Sequence, residues 1–95
     1  MKLLYVRRSD RKQKKLVAKF ALEGGSERTI HFGAKNSTTF AEGASETKKK
    51  AYLARHKVRE DWNNPLTAGA LSKWILWTEP SIKKGIAAFK KRFKV

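Results

Sequence analysis

Ninety-five residues allow one modest domain, and the absence of cysteine excludes disulfides and thiolate metal sites. Lysine and arginine number 23 against 8 acidic residues, for a net charge of +15 at pH 7. A chain this cationic repels itself on folding, and the excess points to a polyanionic partner: nucleic acid, an anionic membrane or an acidic protein surface.

Leu3-Leu4-Tyr5-Val6 carries the β-formers of a short strand. The apolar run ahead of Arg7 and Arg8 is too short for a signal peptide, and nothing downstream approaches the ~20 apolar residues of a bilayer span. No membrane association and a cytosolic or nuclear location are the expectations. Polar residues and Asp10 interrupt the pattern over Arg7–Lys15, and Leu16–Leu22 follows with Leu16, Ala18, Phe20 and Leu22 on one face. Glu23-Gly24-Gly25-Ser26 reads as a turn, and Arg28–Phe32 as a strand with Ile30 and Phe32 inward and His31 outward. Three antiparallel strands in a meander are the simplest assembly.

Gly33–Gly43 is rich in Asn, Ser, Thr and Gly and reads as a loop. Ser45 suits an N-cap with Glu46 in the first turn, opening a helix over about Glu46–Val58. The spacing of Ala51, Ala54 and Val58 predicts the buried face of that helix. Asn64-Pro65 reads as an N-cap with proline at the first helical position. Leu66–Trp77 then holds a single charge, Lys73, and a helix apolar almost all round is expected at the centre of the fold. Thr78–Ser81 breaks it. The last helix, Ser81 to about Phe93, has Ile82, Ile86, Phe89 and Phe93 on one stripe. The three Trp, five Phe and two Tyr supply most of the core. The expected fold is α+β: a three-stranded antiparallel meander followed by three helices, the middle one largely buried, in one domain over residues 1–95.

The cations fall into three blocks. Arg7, Arg8, Arg11, Lys12, Lys14 and Lys15 surround the first turn; Lys48, Lys49, Lys50, Arg55, Lys57 and Arg59 belong to the first helix. Lys83, Lys84, Lys90, Lys91, Arg92 and Lys94 belong to the last. Charge of this kind usually solvates a helix face, but three separate blocks suit a phosphate backbone if folding brings them together. The residue types fit positioning contacts better than base reading, and no helix-turn-helix, zinc-finger or basic-zipper pattern is present.

Other constellations are weaker. Trp62, Trp74 and Trp77 could stack single-stranded bases, though the surroundings of Trp74 and Trp77 favour the core. Trp62, between Glu60-Asp61 and Asn63-Asn64, is a candidate turn anchor, with the acids capping or pairing with Arg59, and a candidate docking residue. His31 and His56 would have to converge with Glu60 or Asp61 to hold a metal, and their spacing matches no zinc pattern. The eight acids are scattered, with only Glu60-Asp61 adjacent, so clustered oxygen ligands for a divalent ion are not expected. No Gly-rich phosphate loop with its Lys-Ser/Thr occurs. A protein without cofactor, metal or catalytic activity is the expectation.

Tyr52-Leu53-Ala54-Arg55-His56 and the long run Arg59–Trp77, with His31-Phe32-Gly33 and Phe89-Lys90-Lys91-Arg92-Phe93, resemble a family of small basic proteins of unassigned function. That family is encoded by large nucleocytoplasmic DNA viruses, mimivirus and chlorella-virus relatives, and the resemblance covers roughly residues 28–93. The loop after Gly33 departs from its pattern, with Asn36-Ser37-Thr38-Thr39-Phe40 where relatives carry Asp, Tyr and His. The resemblance implies a viral gene product present in the virion and in host cytoplasm or nucleus during infection, and brings no established activity. Joined to the charge, it leads to the expectation of a sequence-tolerant protein that binds double-stranded DNA, condensing or coating the genome. The alternative is a minor capsid or core protein that binds another viral structural protein.

Overall fold

The computed structural model describes residues 1–95. Strands β1 (Lys2–Arg8), β2 (Lys14–Ala21) and β3 (Glu27–Ala34) form an antiparallel sheet in the order β1-β2-β3. The meander is the one expected from alternation. Leu16, Ala18 and Phe20 of β2 face Phe32 and Ile30 of β3 and Val6 and Leu3 of β1 across one side of the sheet. Leu3 and Val6 share that side although they stand three positions apart, an odd step that simple alternation would put on opposite faces. The register shift between Leu3 and Tyr5 absorbs the extra residue and leaves Leu4 43% exposed.

Helix α1 spans Glu46–His56, with the Ser45 hydroxyl accepting from the Lys48 amide. Its buried side is not the alanine stripe. Ala51 and Ala54 are exposed and Val58, beyond the helix end, is 81% exposed, whereas Tyr52 and Leu53 pack against the core. The large side chains decide, because rotating Tyr52 and Leu53 outward would forfeit far more apolar burial than two methyl groups return.

Helix α2 begins later than Asn64-Pro65 implies. It covers Ala68–Leu71 and continues as a π-helical stretch over Ser72–Trp77, and the Thr67 hydroxyl caps it by accepting from the Ala70 amide. Asn64 instead closes a local turn, its side-chain oxygen accepting from the Leu66 amide at 3.0 Å. Leu71, Ile75 and Leu76 are wholly buried and Trp77 nearly so. Three consecutive buried residues mark an element enclosed on several sides, as the composition implies.

Helix α3 (Ile82–Phe93) is capped by Ser81 and buries the expected stripe, with Phe89 inaccessible and 6.3 Å from Phe20 between ring centroids. Ile82, Ile86 and Phe93 flank it at the edge of the core. Gly85 lies directly on the backbone of Ile75, so closely that a Cβ there would overlap the Ile75 carbonyl. The helices thus cover one face of the sheet. The other face, carrying Tyr5, Arg7, Val17, Thr29 and His31, has only a shallow depression. No helix is long and apolar enough to cross a membrane.

Candidate nucleic-acid interface

Two of the 23 Lys and Arg side chains meet a carboxylate. Lys15 is 2.7 Å from Glu42, and Lys19 is 3.1 Å from Glu27. The acids that could offset the remaining cations are partly engaged elsewhere. Glu60 lies 2.9 Å from His56, and Asp61 accepts from the Asn63 amide.

One cleft gathers cations from two of the three basic blocks. The β1–β2 turn and α1 flank one cleft of about 510 Å³, whose walls include Gln13 and Lys14 from the hairpin, Lys48 and Arg55 from α1, and Gly69 and Ser72 from α2. The turn is held there by the Ser9 amide donating to the Lys15 carbonyl within the hairpin and by the Lys35 amide, just past β3, donating to the Gln13 carbonyl. Lys48 and Arg55 reach the cleft because they stand one heptad apart on α1. Arg7, Arg8, Arg11 and Lys12 are exposed around the same hairpin, Arg7 lying 3.8 Å over the Tyr5 ring and Arg8 bordering the depression on the open sheet face.

Lys83, Lys84, Lys90 and Lys91 are exposed on α3, and no α3 residue lines the cleft. Helical spacing puts Lys83 with Lys90 and Lys84 with Lys91 on adjoining rows. Arg59 is exposed just past α1 and also stands outside the cleft.

Two expected contacts are taken up inside the protein. The Lys15 ammonium donates to Glu42 and to the Ser37 carbonyl, both at 2.7 Å, and its side chain is 12% exposed. The Lys49 ammonium donates to the Thr78 carbonyl at 3.2 Å and sits 4.3 Å over the Phe40 ring. Neither commitment was visible in the sequence, because both join segments far apart in the chain.

The floor of the cleft is built from side chains that charge alone does not point to. Tyr52 stacks between Trp77, at 4.2 Å and 7°, and His56, at 4.1 Å and 23°. Burial pushes the Tyr52 phenol up to about 12, with the Glu60 charge adding to the effect and the Ser72 hydroxyl and Arg55 opposing it. His56 Nδ1 is 2.9 Å from Glu60 Oε1, and the Trp62 indole donates to Glu60 Oε2 at 2.9 Å. Glu60 therefore pairs with His56 and Trp62, not with Arg59. The 52/56/60 spacing was the one available signal. It survives although α1 ends at His56.

Trp62 does anchor the turn. Its carbonyl accepts from the Trp74 indole at 2.9 Å, and the Lys73 ammonium lies 3.9 Å over its ring. Trp74 carries Lys73 at 4.2 Å and Arg92 at 3.9 Å, and burial followed by repulsion from Arg92 and Lys57 lowers the pKa of Lys73. Trp77, 4% exposed and stacked on Tyr52, is a core residue, not a base platform. His31 meets Ser9 at 2.7 Å on the open side of the sheet, apart from His56, and no three His, Asp or Glu side chains converge in a metal-binding group.

No solved structure matches the chain. It is 35% identical over 80 residues to an uncharacterized protein of Acanthamoeba polyphaga mimivirus, the match covering 78% of this chain and 80% of that protein. Residues 4–56, the sheet and α1, match the model of a family of unknown function, DUF5754. The chain, which carries its hairpin and α1 cations within that matched span, belongs to this family and is similar to a viral protein.

Proposed function

We propose that this chain is a non-enzymatic, sequence-tolerant DNA-binding protein of a large DNA virus that grips the phosphate backbone and acts where the genome is condensed or packaged. The observation that carries this reading is the meeting of Lys14 from the hairpin with Lys48 and Arg55 from α1 around one cleft. Arg7, Arg8, Arg11 and Lys12 extend the positive surface from that cleft around the hairpin. Phosphate contacts of this kind release counterions, contribute ~0.9 each to the salt slope of log affinity, and do not distinguish sequences.

A gel-shift series with unrelated duplexes tests the reading. Duplexes of different sequence are expected to shift alike at ~50 mM salt and to lose most binding by ~200 mM. Lys14→Ala/Lys48→Ala/Arg55→Ala is expected to flatten the salt dependence. No shift at the lower salt would end the proposal. Docking onto a viral structural protein through Trp62 has less support, since its ring faces Lys73 and its indole nitrogen is spent on Glu60. Association that survives high salt and is lost in Trp62→Ala would favour it.

A further inference from the structure

Glu60 is the one carboxylate among the residues lining the cleft, and it sets an acceptor group beside the three cations there. Its environment keeps it in place and accessible. A carboxylate accepts but does not donate, so His56 Nδ1 and Trp62 Nε1 each give it one hydrogen bond, at 2.9 Å, on different oxygens. A carboxylate has about four acceptor positions, so both oxygens keep capacity for a ligand. Gly69 opens the wall beside them: a Cβ there would stand 2.6 Å from Glu60 Oε2. The same cleft presents Lys14, Lys48 and Arg55, and its volume of about 510 Å³ suits a small ligand or one residue of a polymer.

A ligand that answers both kinds of group carries an anion at one end and N–H donors at the other. We propose that the cleft seats a single nucleotide, unpaired or at a strand end, with its phosphate among Lys14, Lys48 and Arg55 and the N–H edge of its base at Glu60. Guanine, with neighbouring N–H donors, matches the two oxygens of a carboxylate. The assignment rests on the DNA-binding reading in taking the anion to be a nucleic-acid phosphate. It goes further in making this site recognise a base as well.

Calorimetric titration of the full chain with inorganic phosphate, deoxyribose 5-phosphate and deoxyguanosine 5′-monophosphate tests it, alongside a gel shift on a relaxed, covalently closed circular duplex, which has no strand ends and no unpaired nucleotides. The nucleotide is expected to bind roughly tenfold or more tighter than the sugar phosphate, the margin that a paired base edge provides. Gly69→Ala, which displaces Glu60 without changing charge, and Glu60→Gln are each expected to erase that margin. Retained affinity for deoxyribose 5-phosphate would show that the variants are folded. Equal affinity of the wild type for nucleotide and sugar phosphate overturns the assignment, as does a margin that survives both substitutions. Nucleotide selectivity without any shift of the closed duplex would support the cleft assignment and overturn the backbone-binding reading, so the two fail separately.

Discussion

Glu42 shows how a single residue can redirect a cation that sequence alone assigns to a ligand. Burial by itself would raise its carboxyl pKa, but the Lys15 ammonium and the hydroxyl and amide of Thr39 outweigh that and hold it below the ordinary 4.5. Thr39 is 1% exposed, so its hydroxyl depends on Glu42 for a partner. A lowered folded pKa means that the unfolded chain takes up the proton first as pH falls. The contribution is complete above the ordinary carboxylate value and is lost as pH drops through the folded one. Glu42→Gln is therefore expected to lower the melting temperature at neutral pH and to make it less steep between roughly pH 5 and 3. Lys15→Ala belongs with it: it should destabilise the fold in urea titration while leaving the salt slope of DNA binding nearly unchanged. A slope reduced by a full phosphate contact, with stability intact, would return Lys15 to the interface.

Among the elements, α2 separates two capping schemes that the sequence leaves alike. Thr67 rather than Asn64 satisfies the first turn, so Thr67→Ala should cost about 1 kcal/mol and Asn64→Ala only a few tenths. Equal losses in chemical denaturation would contradict the observed helix start. The contact of α3 with the π-helical stretch is decided by Gly85. Alanine would favour the helix by about 1 kcal/mol. However, its Cβ would overlap the Ile75 carbonyl, a backbone group that cannot turn aside. Forced overpacking costs about 1–3 kcal/mol, and with no side chain to yield the upper end applies. Gly85→Ala is expected to lose about 2 kcal/mol net, and an unchanged or higher urea midpoint would exclude this packing.

At the scale of the whole molecule, the net charge of +15 sets both stability and binding. Two carboxylate pairs among 23 cations leave most of the self-repulsion uncompensated, and added salt screens it. Moderate salt is therefore expected to raise the melting temperature while weakening DNA binding, two opposite responses from one charge distribution. Within the binding response, the cleft and α3 can be separated. Lys14→Ala/Lys48→Ala/Arg55→Ala should reduce the slope of log affinity against log salt by about 2–3, given ~0.9 per contact. The quadruple alanine variant of Lys83, Lys84, Lys90 and Lys91 should change it by less than one contact if α3 stands clear of the bound duplex. A larger effect from α3 would move the interface to the last helix.

The strand alternation of Leu16, Ala18 and Phe20, the α3 stripe of Ile82, Ile86, Phe89 and Phe93, and the buried character of Leu66–Trp77 were all legible in the sequence. Each is set by a local period of apolar residues, and a period survives whatever the element packs against. The excess of cations was legible for the same reason, since charge simply adds. Which cations converge was not. Lys14 meets Lys48 and Arg55 across one cleft, Lys15 is consumed by Glu42, and the α3 lysines do not line that cleft. The Tyr52–His56–Glu60 spacing hinted at the cleft floor, but Trp77 and Trp62 completed it from other segments. Contacts between distant segments depend on how whole elements cross, and that is fixed by volume and close approach, as at Gly85 and Ile75, which no local pattern encodes.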